Sequence, residues 1–164
     1  MRCSMLVIIA ATLPVACQRP EAPWVSPVAF DTATAWIHVG ADSTSVLVEL
    51  ARTEAQKTYG LMARPTLDPN SGMVFLYDSI QPGENGFWMW RTRMPLDIAF
   101  IDTGGVIVRT LSMEPCASDI YSESCESYLP NIPYRSALEV NKGWFATHGV
   151  GEGALVRLDT LSGR

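Results

Sequence analysis

Apolar and polar positions alternate in short runs along most of the chain, and turn residues break the runs at close intervals. Thr34 to Val39 carries Trp36, Ile37 and Val39 and predicts a strand, followed by a turn at Gly40-Ala41-Asp42. Ser45 to Leu50 predicts a second, β-branched strand. The period then changes. Thr53 with Gln56 three residues on is a capping-box signature, and Gly60 suits a C′ position, so a short helix is predicted over Thr53 to Tyr59. Further strands are predicted at Met73 to Tyr77, Phe87 to Thr92, Leu96 to Ile101, Val106 to Met113, Ser136 to Val140 and Ala154 to Leu158. Asp102 to Gly105 reads as a hairpin loop, and Asn141 as the N-cap of a short helix over Lys142 to His148, closed by Gly149. About eight short strands with turn signals between them predict a mainly β fold: an antiparallel jelly-roll-like sandwich or barrel with one or two short helices.

The first residues follow another pattern. Residues 1–17 read MRCSMLVIIAATLPVAC, with Arg2 as a minimal positive region and an unbroken apolar run from Met5 to Ala11. That run is too short to span a bilayer and fits the apolar region of a signal peptide. Val15-Ala16-Cys17 resembles the lipobox of bacterial lipoproteins, in which cleavage precedes a cysteine that then carries lipid. Pro14 stands where that motif usually has a large aliphatic residue. Beyond Cys17, prolines at 20, 23 and 27 favour an extended tether reaching on the order of 30 Å. The expected organisation is therefore a signal peptide over 1–16, a proline-containing tether and N-terminal extension over 17–43, and one globular domain over 44–160.

The whole chain has 164 residues, 48% of them hydrophobic and 18% charged, with a formal net charge of −5. The hydrophobic share suffices for one packed core and argues against disorder. The acidic balance argues against nucleic-acid binding, which needs clustered Lys and Arg to neutralise phosphate. No run of about 20 apolar residues offers a conventional membrane span.

Four cysteines are present, at 3, 17, 116 and 125. Cleavage before Cys17 would remove Cys3, and lipidation would use Cys17, leaving Cys116 and Cys125 as an even pair in an oxidising setting. A structural disulfide between them is expected, worth about 2.5 kcal/mol by loop closure. Redox or metal chemistry is the alternative. There is no C-x-x-C motif, and neither His38 nor His148 has zinc-ligand spacing to the cysteines. No metal site and no cofactor are expected.

Among acidic residues, Asp97, Asp102, Glu114 and Glu139 invite a hydrolase reading. Ordinary roles compete with it: Asp102 suits its Gly-Gly turn, and Asp97 could accept backbone N–H groups or pair with an arginine. A glycosidase pair would need carboxyl groups about 5–5.5 Å or about 6.5–9.5 Å apart in an open cleft. No G-x-S-x-G or phosphate-cradling glycine motif is present.

In the stretch Phe87-Trp88-Met89-Trp90, alternation would put Phe87, Met89 and Arg91 on one face and Trp88, Trp90 and Thr92 on the other. Which face is core stays open, and the stretch could be buried on both. A small-ligand site is expected where Trp88, Arg91, Asp97 and Glu139 converge, with Arg91 as a donor fork and Trp88 as a flat wall. The rival account has Arg91 and Asp97 as a structural ion pair and Trp88 as core.

Several pieces, in this order, resemble the family called domain of unknown function 192: Val48-Glu49-Leu50-Ala51, Gly60-Leu61-Met62-Ala63-Arg64, Gly72-Met73-Val74-Phe75, Phe87-Trp88-Met89, Thr92 with Pro95 to Asp102, Met113 to Cys116, Ala137 to Asn141, Gly143-Trp144-Phe145 and His148-Gly149. The resemblance runs over roughly residues 44–160 and implies a compact jelly-roll-type β fold, usually exported in bacteria. It implies no reaction. Trp90-Arg91 stands where the family usually shows Lys-Asn.

Together these readings predict an uncharacterised, extracytoplasmic, lipid-anchored β-sandwich in the bacterial envelope, facing the periplasm or exterior. It is expected to be a binding or envelope-interaction module rather than an enzyme, with the membrane and an unknown small ligand or envelope component as partners. The alternative is an envelope hydrolase, for instance a glycan-directed one, using Asp97 and Glu139.

Overall fold

The structure, a computed structural model, describes residues 24–116 and 125–160. The segment expected to be a signal peptide, Cys3, Cys17 and the first part of the expected tether lie outside the described residues. Half-buried alternating segments form nine strands and two short helices: β1 (Asp31–Val39), β2 (Asp42–Ala51), α1 (Glu54–Tyr59), β3 (Ser71–Gln81), β4 (Phe87–Trp88), β5 (Leu96–Ile101), β6 (Ile107–Met113), β7 (Ser127–Tyr128), β8 (Tyr134–Asn141), α2 (Trp144–Thr147) and β9 (Leu155–Thr160). Seven strands make one sheet in the order β6-β5-β8-β3-β2-β1-β9, and β4 pairs with β7 in a small second sheet. The protein is mainly β, as expected. One pairing departs from the antiparallel pattern, because β2 and β3 run parallel. A parallel neighbour needs a long return, and residues 52–70, with α1 inside them, provide it. β1 lies within the stretch assigned to the N-terminal extension, yet it pairs on both sides, with β2 and β9.

The large sheet is covered on both faces. On one face Val46, Val48, Leu50, Val74, Leu138, Val140, Ala99 and Ile101 pack with Trp144 and Phe145 of α2. The sheet curls around this cluster until its edge strands meet at one bridge, Val106 to Leu155, without closing a ladder into a barrel. The other face carries Met73, Phe75, Ala137, Ile98 and Phe100, covered by Leu61, Phe87, Met89 and Met94. These covering residues come from the segments around α1 and β4.

Several local predictions hold in detail. The Thr53 side chain accepts from the Gln56 amide at 3.2 Å, and the Gln56 side chain accepts from the Thr53 amide at 2.9 Å. The Asp102 carboxylate accepts from the Gly104 and Val106 amides at 2.8 and 2.9 Å, fixing the hairpin. Cys116 and Cys125 are bonded, with Cα atoms 5.9 Å apart.

Two local predictions need correction. Phe87 to Thr92 is not one strand. Pairing stops after Trp88, and the chain turns with Arg91 at φ 58° while the Thr92 amide donates to the Met89 carbonyl at 2.9 Å. Alternation therefore fails beyond Met89: Phe87, Met89 and Thr92 are buried, whereas Trp88 and Arg91 are not. The second helix starts late, at Trp144, with Gly143 rather than Asn141 at its N-cap. The Asn141 side-chain amide instead donates to the Leu67 and Asp68 carbonyls at 3.3 and 2.9 Å.

Candidate functional site

Glu139 stands in the middle of β8, opposite Met73 of β3 and Ile98 of β5. Cross-strand partners share a face, so its carboxyl enters the apolar cluster of Met73, Phe75, Ile98 and Phe100. The residue is 4% exposed, and its carboxyl has no hydrogen-bond partner among the described residues. Burial alone pushes its pKa up from near 4.5 to about 8. The acid is therefore largely protonated at neutral pH, able to donate one hydrogen bond and accept others.

The carboxyl lines a cavity of about 110 Å³ between the large sheet and the segments that cover it. α1 and the following turn form one wall through Lys57, Tyr59, Gly60 and Leu61; β3 adds Phe75 and Tyr77; β4 adds Phe87 and Trp88; Thr92 completes it. Gly60, at φ 51°, caps α1 in the left-handed region, and a Cβ there would come within 3.3 Å of the Phe75 ring. The hydroxyl of buried Thr92 also lacks a hydrogen-bond partner among the described residues. Tyr77 has its hydroxyl pKa pushed up by burial, then by Tyr134 and by the nearby Glu139 charge. Lys57 sits over the Tyr77 ring, 4.8 Å from its centre, and its charge is paired with Glu54 at 2.6 Å.

Trp88 belongs to the rim. It is 37% exposed, which corrects the reading of it as core, and its ring centre is 5.7 Å from that of Trp90. β7 holds β4 in place through the pairings Phe87 to Tyr128 and Trp88 to Ser127. The disulfide ties β7 in turn, because Cys116 bridges Trp90 and its amide donates to the Thr92 carbonyl at 3.2 Å.

The four residues expected to converge separate into groups. Trp88 and Glu139 line one cavity. Asp97 pairs with Val140, so it projects from the opposite face of the sheet to Glu139. Its two oxygens accept from the Ser112 hydroxyl at 2.6 Å and the Gly143 amide at 2.7 Å. Asp97 thus fastens β5 to β6 and to the turn before α2. Arg91 lies over the Trp90 ring, 5.7 Å from its centre. The expected Arg91–Asp97 ion pair is absent among the described residues, because Asp97 already serves two other donors. The paired-carboxylate hydrolase geometry is absent too, since the sheet itself lies between Asp97 and Glu139.

Sequence reasoning missed Tyr77, Thr92 and Lys57. Tyr77 could have been found from the two-residue period Met73-Phe75-Tyr77, which shares its face with Glu139. Nothing in the sequence signalled Thr92, which arrives through the turn at Arg91. It also missed Arg64, a buried arginine paired with Glu49 and covered by the rings of Trp24 and Phe30, at 5.2 and 5.8 Å. Among the described residues, no group of three or more His, Cys, Asp or Glu side chains is placed to share a metal ion.

With this geometry in view, comparison with known proteins adds the family. The family model DUF192, described as "Uncharacterized ACR", matches residues 36–158. The chain belongs to the DUF192 family. The match begins within β1, at Trp36, and the whole Glu139 cavity lies within it. A crystal structure from Sinorhizobium meliloti 1021, described as a "putative transcription regulator", is 27% identical. It superposes with a TM-score of 0.70 over 83% of this chain and 100% of that one. A protein of unknown function from Novosphingobium aromaticivorans DSM 12444 is 29% identical, with a TM-score of 0.65 over 84% of this chain and 94% of that one. No curated protein matches the chain. DUF192 membership fixes the fold and assigns no activity.

Proposed function

We propose that this DUF192 protein is an envelope-tethered binding module that takes a small ligand in the cavity over Glu139. The observation that carries this reading is the buried Glu139 carboxyl, left without a hydrogen-bond partner where it borders a cavity. A carboxyl that the fold supplies with no donor, at the border of a cavity, is open to a partner that enters from solution. The adjoining Thr92 hydroxyl and the Trp88 face add a second polar contact and a flat wall. The hydrolase alternative has lost its carboxylate pair and gains nothing else from the cavity.

The cellular part of the proposal rests on the first residues. Residues 1–16 are read as a signal peptide, Cys17 as the lipid-bearing residue, and the proline-containing stretch as a tether that holds the domain off the membrane. The domain then faces the periplasm or exterior, where the Cys116–Cys125 bond is at home.

Two measurements test these halves separately. A thermal-shift screen of small polar fragments against the full chain should find stabilising fragments, because a ligand that binds only the native state raises stability by mass action. The gain should vanish in Thr92→Val and Trp88→Ala. Equal shifts in wild type and both variants, or no shift with any fragment, contradict the cavity as the site. For the anchor, the wild type should fractionate with membranes, and Cys17→Ser should release it or block its processing. A fully soluble wild type with an unmodified N-terminus at Gln18 or beyond contradicts lipidation.

A further inference from the structure

We infer that the ligand of this cavity is a small primary ammonium, held by an ionised Glu139 after the acid gives up its proton. The inference rests on the cavity being a ligand site, and adds the chemistry of what enters it. Size sets the first limit. A cavity of about 110 Å³ has room for an amine of a few heavy atoms.

The walls set the second limit. Phe75, Tyr77, Phe87 and Trp88 line the cavity, and aromatic faces attract cations, most strongly where water is excluded. Lys57 already illustrates this, with its ammonium over the Tyr77 ring at 4.8 Å. That charge is matched by Glu54 outside the cavity, so it does not neutralise Glu139. The remaining titratable groups facing the carboxyl are Tyr59 of α1 and Tyr77 of β3. Tyr77 stays neutral because burial and Tyr134 both hold its proton. β5 contributes Ile98 opposite Glu139, and the charge of Asp97 lies on the far face. Among the described residues no cation is paired with Glu139, and burial keeps it protonated.

An entering ammonium changes that balance. Glu139 loses the proton on its carboxyl oxygen to bulk water. The ammonium keeps all of its protons, donates one N–H to the new carboxylate and a second to the Thr92 hydroxyl oxygen. Two groups without a partner among the described residues are satisfied, and the site goes from a neutral acid to a neutral ion pair. Anions are excluded by the same carboxyl. Neutral alcohols fit the space but leave the acid protonated.

The test uses n-propylammonium chloride as probe and n-propanol as its uncharged counterpart, on the full chain. Affinity for the ammonium should rise about tenfold from pH 6 to pH 7 and level off above about pH 8, with about one proton released per ligand at pH 6. The release is read directly with a pH electrode in unbuffered salt. Glu139→Gln should lower ammonium affinity more than tenfold at pH 8 and change n-propanol affinity far less. If that variant does not fold, the wild-type pH dependence and proton count decide alone. Ammonium binding without proton release, pH-independent affinity, or no ammonium binding at millimolar concentration overturns the inference. Should n-propanol bind while the ammonium does not, the ammonium inference falls and the ligand cavity stands. Should neither bind, and no fragment stabilise the chain, both fall.

Discussion

Asp97 of β5 and Glu139 of β8 lie on neighbouring strands one position out of register, so the pleat sends their carboxyl groups to opposite faces of the sheet. Both are buried, at 7% and 4% exposure. Asp97 meets a hydroxyl and a backbone amide that it can bridge, and it fastens three segments together. Glu139 meets methionine, isoleucine and aromatic side chains and has no hydrogen-bond partner among the described residues. Burial therefore does not define a role. What distinguishes a structural carboxylate from a candidate site is whether the fold supplies its donors.

Removing the carboxyl at each position should give opposite signs. Asp97→Ala removes the shared acceptor of the Ser112 hydroxyl and the Gly143 amide and should cost about 2–3 kcal/mol, read by chemical denaturation. A cost below about 1 kcal/mol would erase the contrast.

Glu139→Gln should stabilise the protein, and only above acidic pH. The folded-state pKa, about 8, lies above the ordinary value near 4.5. The native state therefore binds more protons than the unfolded state between these values, and stability falls as pH rises through that window. The penalty should reach on the order of 3 kcal/mol by pH 7 and be absent below about pH 4.5. Glu139→Gln removes it, so denaturation profiles of variant and wild type should converge at acid pH and separate as pH rises. Parallel profiles would mean that Glu139 ionises freely in the folded protein.

The disulfide sharpens the comparison from the side of the cavity wall. Replacing Cys116 and Cys125 together with serine should cost about 2.5 kcal/mol through loop entropy. It should also loosen β7 and β4, weakening fragment binding at Glu139 while leaving Asp97's contacts intact. Trp88→Ala should have the smallest effect on stability, about 1–2 kcal/mol, because the ring sits at the rim. It should still abolish fragment-induced stabilisation. A loss of cooperative unfolding in that variant would return Trp88 to the core.

Much of the fold was legible because local signals agreed with the final structure. The Thr53–Gln56 capping box, the Asp102 hairpin and the period-two strands each carry their own physical cause. The parallel pairing of β2 with β3 was not legible, because a capped helix between two strands serves either direction of return. Phe87 to Thr92 misled because alternation continues in the sequence after the backbone has turned at Arg91. Alternation in Leu138-Glu139-Val140 sets Glu139 on the other face of β8 from its neighbours, but that second face is also core. Whether a partner waits there depends on segments distant in sequence, α1 and β4, and no spacing rule reaches them. Asp97 does not converge with Glu139 because no sequence signal sets the register of β5 on β8, and a shift of one residue moves a side chain to the other face.

The most direct test of the account is the titration of the Glu139 carboxyl itself, followed by the carbon-13 shift of its carboxyl carbon in the full chain. A midpoint near 8 is expected, with the carboxyl still mainly protonated at pH 7. A midpoint near 4.5 would mean that water or an unrecognised partner already satisfies the carboxylate, and would contradict Glu139 as the open polar group of a ligand site.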